Sequence, residues 1–210
     1  MSGRFITLEG PEGAGKTLMA ERLAGALRAR GLEVRLTREP GGTRLGEQVR
    51  SIVLARAQDG DEAIDARADA LLFNAARAQL VAEVIRPALA AGEVVVCARF
   101  ADSTLAYQGY GRGLDLARVR ALDAEARDGI VPAMTFLFDC PVEEGLARAR
   151  ARAGSGDRFE REVVSFHERV RHGFQEMARA EPARFRVLDS AAPIDQVHAA
   201  VVAETERRLG

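Results

Sequence analysis

The chain has 210 residues and a mass of 22.7 kDa, which favours a single domain with a substantial buried core. Thirty Lys and Arg residues against 31 Asp and Glu residues leave a formal net charge of -1, so bulk electrostatics predict neither a nucleic acid nor an anionic membrane as partner. The apolar runs are too short to span a bilayer and no signal-peptide pattern follows Met1, so we expect a cytoplasmic protein without membrane contact.

The first predicted strand, residues 5–8, leads directly into a phosphate-binding motif at residues 10–17, here called the phosphate loop. The motif matches G-x-x-x-x-G-K-[ST], in which Lys16 reaches the β- and γ-phosphates of a nucleotide and the Thr17 hydroxyl binds Mg²⁺. A helical pattern follows, so the phosphates would also meet a helix N-terminus. A glycine-rich turn without a ligand is the alternative. The predicted phosphate-binding residues are Gly10, Pro11, Glu12, Gly13, Ala14, Gly15, Lys16 and Thr17.

Four further strand-like runs alternate with long helical segments, which predicts a parallel sheet covered by helices on both faces. These runs lie at residues 33–37, 93–97, 134–138 and 185–188. Three predicted strands end in Glu9, Arg38 and Asp139, and we expect these residues to face a ligand at the carboxyl edge of the sheet. Pro87 within the helical stretch 64–91 predicts a break or kink nearby.

The two cysteines, Cys97 and Cys140, lie near the ends of predicted buried strands. Cysteine at such positions commonly packs as a small apolar residue. We therefore expect neither a disulfide nor a metal site from them.

Two more segments follow predicted strands, and with the phosphate loop they resemble a known family. They read Thr-Arg-Glu-Pro-Gly-Gly-Thr at residues 37–43 and Arg-Phe-Ala-Asp-Ser-Thr-Leu-Ala-Tyr-Gln-Gly at residues 99–109. The whole chain resembles bacterial thymidylate kinases, which make dTDP from dTMP and ATP. The resemblance implies a five-stranded parallel sheet of the P-loop NTPase type, ATP on the phosphate loop, Mg²⁺ as cofactor, a lid around residues 148–160 and a homodimer.

The resemblance also implies a site for dTMP. Phe73 and Arg77 are four residues apart on a predicted helix and share a face, so a pyrimidine could stack on Phe73 while Arg77 donates to its O4. The alternative places Phe73 in an apolar stripe and Arg77 in solvent. Arg38 and Arg99 would hold the phosphate of dTMP, or else form surface ion pairs.

Glu12 lies inside the phosphate loop, where a carboxylate repels a triphosphate, so it needs a separate explanation. The resemblance implies that it accepts a hydrogen bond from the 3′-hydroxyl of dTMP or helps to arrange Mg²⁺. It further implies that Tyr107 crowds the 2′ position and favours deoxyribose, although simple packing of Tyr107 is the alternative. Ser103, Thr104 and Gln108 would line the nucleoside site.

The arginine-rich lid segment supplies the remaining catalytic candidates, with a solvated basic helix as the alternative. Arginines two residues apart do not share a helix face, so not all of them can reach one phosphate. A closed basic lid would neutralise the transferred phosphoryl group and exclude water. The predicted catalytic residues are Lys16, Arg99, Arg148, Arg150, Arg152 and Arg158.

The chain departs from the family pattern at one position. The family has an aspartate before the arginine that ends the third strand, and this chain has Ala98 there. The resemblance implies that this carboxylate organises Mg²⁺, so its loss predicts a rate lower by roughly two to three orders of magnitude, with Glu12 and Asp139 as nearby carboxylates that could compensate. The rival hypotheses are a catalytically deficient nucleotide-binding protein of the same fold and a kinase for another deoxynucleotide.

Overall fold

The computed structural model describes residues 4–55, 64–151, 159 and 162–209. Over these residues five strands form one fully parallel sheet in the order β2-β3-β1-β4-β5, which confirms the predicted fold class. The strands are β1 Arg4–Glu9, β2 Val34–Arg38, β3 Val94–Ala98, β4 Met134–Asp139 and β5 Phe185–Asp189. Their bounds differ from the predicted ones by a single residue at most ends.

Helices connect the strands and cover the sheet. Their bounds are α1 Lys16–Ala29, α2 Arg44–Val53, α3 Ala66–Leu80, α4 Arg86–Ala90, α5 Ala101–Thr104, α6 Leu116–Arg127, α7 Val142–Ala151, α8 Val164–Ala180 and α9 Ile194–Leu209. Within the described part of the chain, no helix is both long and apolar enough to cross a membrane.

The three central strands, β1, β3 and β4, are almost wholly buried because both faces of the sheet are covered. On one face, α1 and α9 contribute Leu23, Leu27 and Val201 to a core that includes Phe136 of β4. On the other face, α8 packs with the segment after β3, and the chain between α3 and β3 packs against the sheet. This arrangement leaves the carboxyl edge of the sheet open for a ligand.

Among the residues described, two segments of π-helix interrupt the helical connections. The first, Val81–Ile85, ends two residues before Pro87, where the missing N–H and the bulky ring of proline disturb the α-helical ladder. This irregularity lies where Pro87 predicts a break or kink. The second, Leu105–Gly111, was not predicted, and it carries Tyr107 and Gln108. Local π-helix is frequent at functional sites.

Both cysteines are free and fully buried, Cys97 in β3 and Cys140 just after β4. Burial raises the pKa of the Cys97 thiol well above its ordinary value. The two residues pack as apolar side chains, as the sequence predicts.

Candidate active site

A cavity of about 740 Å³ lies at the carboxyl edge of the sheet, between the phosphate loop and the segments that follow β2 and β3. Such a volume is typical of pockets for small organic ligands. The structure brings most of the predicted site residues to its wall: Glu12, Gly13, Gly15, Lys16, Thr17, Arg38, Phe73, Arg77, Arg99, Ser103, Thr104, Tyr107, Gln108 and Arg148. Gly10, Pro11 and Ala14 belong to the phosphate loop without lining the cavity.

The phosphate loop turns sharply between β1 and α1. Gly13 has φ +70° and packs so closely on α7 that a Cβ there would lie 1.9 Å from the carbonyl oxygen of Gly145. Gly15 precedes the first turn of α1, which contains no acidic residue and so leaves its N–H groups and positive dipole end available to an anion. The Lys16 ammonium donates to the Pro11 carbonyl at 2.6 Å. The loop therefore has the form of an anion cradle.

Thr17 is exposed in the first turn of α1 and lines the cavity. Among the described ranges of the chain, no cluster of three or more His, Cys, Asp or Glu is arranged to hold a metal ion. Mg²⁺ bound to a nucleotide takes most of its ligands from phosphate oxygens and water, so a single hydroxyl at this place fits such an ion. Ala98 also lines the cavity, at the end of β3.

Glu12, Arg99 and Tyr107 form a cluster that joins the phosphate loop to the segment after β3. One Glu12 carboxylate oxygen accepts from Arg99 Nη2 at 2.7 Å and from the Tyr107 hydroxyl at 2.8 Å. Burial raises the pKa of Glu12, but Arg99 and Lys16 outweigh it and hold the pKa at about 2. Glu12 is therefore ionised at neutral pH, and its charge is balanced by Arg99 even before any ligand binds.

Arg99 owes its position to an unusual backbone conformation. Its φ of +68° lies in the left-handed region, which costs roughly 1–3 kcal/mol for a residue other than glycine. This turn directs the guanidinium over the Tyr107 ring, 5.0 Å from the centroid, and within 3.2 Å of Ser103 Oγ. Arg99 therefore lies on the cavity wall, at the predicted edge of the sheet. Its ion pair with Glu12 is inside the cavity and not at the surface.

Arg38 lines the cavity and also forms the ion pair that the alternative predicts. It lies at the end of β2 and donates to Glu47 Oε1 at 3.0 Å, in an ion pair whose side chains are about half exposed. Because an exposed pair of this kind contributes little to stability, Arg38 can turn to a ligand phosphate at small cost.

The expectation that Glu9 and Asp139 would face the ligand is wrong, since neither lines the cavity. Glu9 is fully buried and accepts from the Phe100 amide at 2.7 Å and from Ser103 Oγ at 2.6 Å. Burial, with the nearby charge of Asp102, raises the pKa of Glu9 to about 8. Glu9 therefore anchors the chain after β3.

Asp139 is held from the opposite side by α8. Arg171 donates to its two oxygens at 2.7 and 2.8 Å, and Gln175 donates at 3.2 Å. With its oxygens bound in this way and outside the cavity wall, Asp139 has a structural role and does not replace a carboxylate at Ala98.

Arg77 is the most deeply buried cation of the site, with 1% of its surface exposed, so the alternative of a solvated Arg77 is wrong. It also packs over the Phe100 ring at 5.3 Å. Its guanidinium makes five hydrogen bonds: two to Glu39 Oε2 at 2.9 and 2.6 Å, and one each to Asn74 Oδ1 at 3.1 Å, Asp123 Oδ1 at 2.7 Å and Thr104 Oγ1 at 2.9 Å. Because a guanidinium has five N–H groups, a base could bind Arg77 only by exchanging one of these acceptors.

Two buried carboxylates share the single charge of Arg77. Burial raises the pKa of Glu39 to about 7 and that of Asp123 to about 6, against the opposing effect of Arg77. The ion pairs of Arg77 with Glu39 and Asp123 connect three separate elements: the loop after β2, α3 and α6. Asp123 belongs to no sequence motif. Its only signal is an acidic residue on the same helix face as Val119 and Ala126, which are buried.

An aromatic wall closes the cavity on the side of α3 and α8. Phe73 is half buried, with its ring 6.2 Å from that of Phe159, and Tyr107 packs edge-on against Phe159 at 5.5 Å and Phe166 at 6.2 Å. Tyr107 thus packs in the core, as the alternative predicts, while its hydroxyl reaches Glu12 in the cavity. The two interpretations of Tyr107 are compatible.

The predicted lid lies only partly within the described residues. Arg148, near the end of α7, lines the cavity and donates to the Ser190 carbonyl at 2.8 Å and to Glu144 at 2.5 Å. Arg150 lies on the exposed face of α7 and does not line the cavity. Arg152 and Arg158 lie outside the described residues.

Comparison with known proteins identifies the family. The model of the family described as thymidylate kinase matches residues 8–201. The chain is 55% identical over 199 residues to a thymidylate kinase of Pseudomonas syringae pv. syringae (strain B728a), with 95% of this chain and 93% of that protein covered. It is 52% identical over 206 residues to a thymidylate kinase of Deinococcus radiodurans, with 98% of each chain covered.

A solved structure agrees with these relatives. The crystal structure of thymidylate kinase from Ehrlichia chaffeensis superposes with a TM-score of 0.77 at 33% identity, over 98% of this chain and 99% of that one. Since these relatives share one name, the comparisons give no support to the rival hypotheses of a catalytically deficient protein or a kinase for another deoxynucleotide. This chain belongs to the thymidylate kinase family.

Proposed function

We propose that this chain transfers the γ-phosphoryl group of ATP to dTMP, giving ADP and dTDP. One observation carries the proposal: the cluster of Glu12, Arg99 and Tyr107 joins an anion cradle to a buried pocket with an aromatic wall, within one cavity. A phosphate donor and a nucleoside monophosphate can therefore meet at Arg99.

The phosphate loop would bind the donor. Lys16 would exchange the Pro11 carbonyl for the β- and γ-phosphates of ATP, which also meet the N-terminus of α1. Thr17 would hold Mg²⁺, which when bound offsets the negative charge of these phosphates.

The other half of the cavity would bind the acceptor. Arg38 and Arg99 would hold the phosphate of dTMP through charge-assisted hydrogen bonds. The base would lie against Phe73. The edge of the base would then be near the buried polar groups at the end of the cavity. A contact between O4 and Arg77 would displace the bond from Arg77 to Thr104 Oγ1, because Thr104 lines the cavity and, unlike Glu39, is an uncharged acceptor.

The sugar would lie beside the cluster of Glu12 and Tyr107. Glu12, ionised at neutral pH, would accept a hydrogen bond from the 3′-hydroxyl, since a carboxylate offers acceptors only. The Tyr107 ring, fixed by its neighbours in the core, would leave no space for a 2′-hydroxyl. This placement favours a deoxyribonucleotide.

The chemical step would need no general base. The second pKa of a phosphate monoester is about 6, so an oxygen of dTMP is already anionic at neutral pH. That oxygen attacks the γ-phosphorus while the bond to the bridging oxygen of ADP breaks. Lys16, Arg99 and Arg148 would position the reactants and stabilise the charge of the transferred group, which is the main contribution a protein makes to this reaction.

We further propose that residues 148–160 form a lid that closes over the reactants; Arg152 and Arg158 of this lid lie outside the described residues. A reduced rate caused by Ala98, a homodimeric assembly and a cytoplasmic location are proposed as well.

The direct test is a steady-state assay of ADP formation with MgATP and four acceptors: dTMP, dUMP, dCMP and AMP. We expect the highest kcat/KM with dTMP. Lys16→Met provides the background, since it keeps the length of the side chain and removes its charge, and far-UV circular dichroism checks that it is folded. A clear preference for another acceptor would contradict the substrate assignment.

A further inference from the structure

Asp69 and Gln108 meet inside the wall of the cavity, although they come from different elements. Asp69 is on α3 and has no exposed surface, and Gln108 is on the π-helical segment Leu105–Gly111 with 1% exposed. The Gln108 Nε2 atom donates to Asp69 Oδ2 at 3.1 Å. Gln108 also lines the cavity, whereas Asp69 does not.

This contact decides which end of the Gln108 amide faces Asp69. A carboxamide has a donor end and an acceptor end of nearly equal shape, and it can present either one after a half turn. A carboxylate accepts hydrogen bonds and donates none. Asp69 therefore holds the NH₂ group on its own side and leaves Oε1 at the opposite end of the amide.

We propose that Asp69 is a positioning residue that fixes the Gln108 amide with Oε1 toward the cavity, and so selects pyrimidines that carry a proton on N3. The inference rests on the proposed function and adds a determinant of base specificity to it. Thymine and uracil have an N3–H donor that matches Oε1. Cytosine has a lone pair on N3, which would face the lone pairs of Oε1.

The surroundings place a base where this selection can act. Asp69, Phe73 and Arg77 follow one another at intervals of four residues and share one face of α3. The ring against which we place the base is therefore one helical turn from the residue that orients the amide. All five N–H groups of Arg77 already donate to protein acceptors, so Arg77 has no unoccupied donor for a base that enters the cavity.

The test compares kcat/KM for dTMP, dUMP and dCMP in the wild type and in Asp69→Asn. The asparagine has the same shape but can accept from or donate to Gln108, so the amide loses its preferred orientation. We expect the preference for dTMP over dCMP to fall by roughly 10-fold or more, because a buried polar pair with mismatched ends strongly disfavours binding. The effect should lie in KM rather than in kcat, as for an interaction made equally in the ground state and transition state.

Two comparisons separate this role from a loss of structure. The ratio of dTMP to dUMP should stay at the wild-type value, since both bases carry N3–H, whereas a loosened pocket would change both ratios. Asp102→Asn is the matched control: Asp102 is also buried, but it pairs with Arg184 at 2.6 and 2.9 Å, away from Gln108. It should lose stability and keep the ratio of dTMP to dCMP.

Each outcome decides the inference. If Asp69→Asn does not fold, Asp69→Ser offers a smaller hydroxyl that also donates and accepts, and the same fall in the ratio is expected. A folded variant with the wild-type ratio of dTMP to dCMP would overturn the inference and leave the proposed function intact. A wild type that phosphorylates none of the thymine or uracil nucleotides would overturn both.

Discussion

Replacement of Arg77 by lysine keeps the charge of the buried group while it removes the planar fork of donors. Arg77 makes five hydrogen bonds, three of them to the carboxylates of Glu39 and Asp123. A lysine has three N–H donors on one nitrogen, so at least two of the five bonds must be lost. The acceptors left behind are buried, with at most 6% of each residue's surface exposed, so water can replace few of the lost bonds.

The structure sets the size of the effect. A hydrogen bond to a charged group contributes about 1.5–3 kcal/mol, so the loss of two should lower the free energy of unfolding by about 3–6 kcal/mol. A domain is stable by only about 5–15 kcal/mol, so the variant should fold but unfold at a clearly lower denaturant concentration. The kcat/KM for dTMP should fall as well, because Thr104 and Asn74 lose the group that holds them.

The assay is urea unfolding at pH 7 followed by far-UV circular dichroism, which suits a chain without tryptophan. Arg35→Lys is the matched control, since Arg35 also donates two bonds, at 3.1 and 3.0 Å, to one carboxylate, that of Glu93. Its side chain is 52% exposed, so its loss should amount to less than about 1 kcal/mol. Equal shifts of the unfolding midpoint in Arg77→Lys and Arg35→Lys would refute the reasoning.

Three other predictions concern the same cavity. Burial raises the pKa of Glu39 to about 7, so the folded protein binds this proton more tightly than the unfolded chain and loses stability as the pH rises from about 4.5 to 7. Glu39→Gln removes this titratable group, so its free energy of unfolding should rise relative to that of the wild type as the pH goes from 5 to 8. Urea unfolding at several pH values measures this difference, and parallel pH profiles of the two proteins would count against the prediction. Tyr107→Phe removes the hydroxyl that donates to Glu12 at 2.8 Å and should lower kcat/KM for dTMP by about 10-fold with KM for ATP unchanged; a change in KM for ATP alone would contradict the assignment. Ala98→Asp should raise kcat roughly 100-fold if the missing carboxylate limits the reaction, and an unchanged kcat would remove that explanation.

Much of the fold follows from local sequence patterns. The buried strands β1, β3 and β4 are nearly continuous apolar runs, because parallel strands covered on both faces have no solvent side. The phosphate loop follows from its glycines and Lys16, since few other sequences let a backbone wrap a phosphate. Pro87 marked the irregular helix because its cause is local.

The π-helical segment Leu105–Gly111 could not be predicted, because tertiary packing determines it. It lies against α8, where Gly173 leaves room for the Tyr110 ring: a Cβ at Gly173 would lie 2.6 Å from that ring. No sequence pattern inside the segment predicts this contact. The packing against α8 nevertheless determines where Tyr107 and Gln108 point.

The polar groups of the site were only partly predictable for a similar reason. The spacing of Phe73 and Arg77 places both on one face of α3, but it does not reveal the acceptors of Arg77. The two carboxylates among those acceptors come from positions 38 and 46 residues away, on a loop and on α6. Sequence periodicity reports which face a side chain occupies, whereas its partners depend on how distant elements meet.

Phosphoryl transfer from ATP to dTMP in this cavity can be measured as the rate of ADP formation with and without dTMP. We expect ADP formation that depends on dTMP, yields equal amounts of dTDP and falls to background in Lys16→Met. Binding of both ATP and dTMP by calorimetry, with no turnover above the Lys16→Met background, would contradict this expectation.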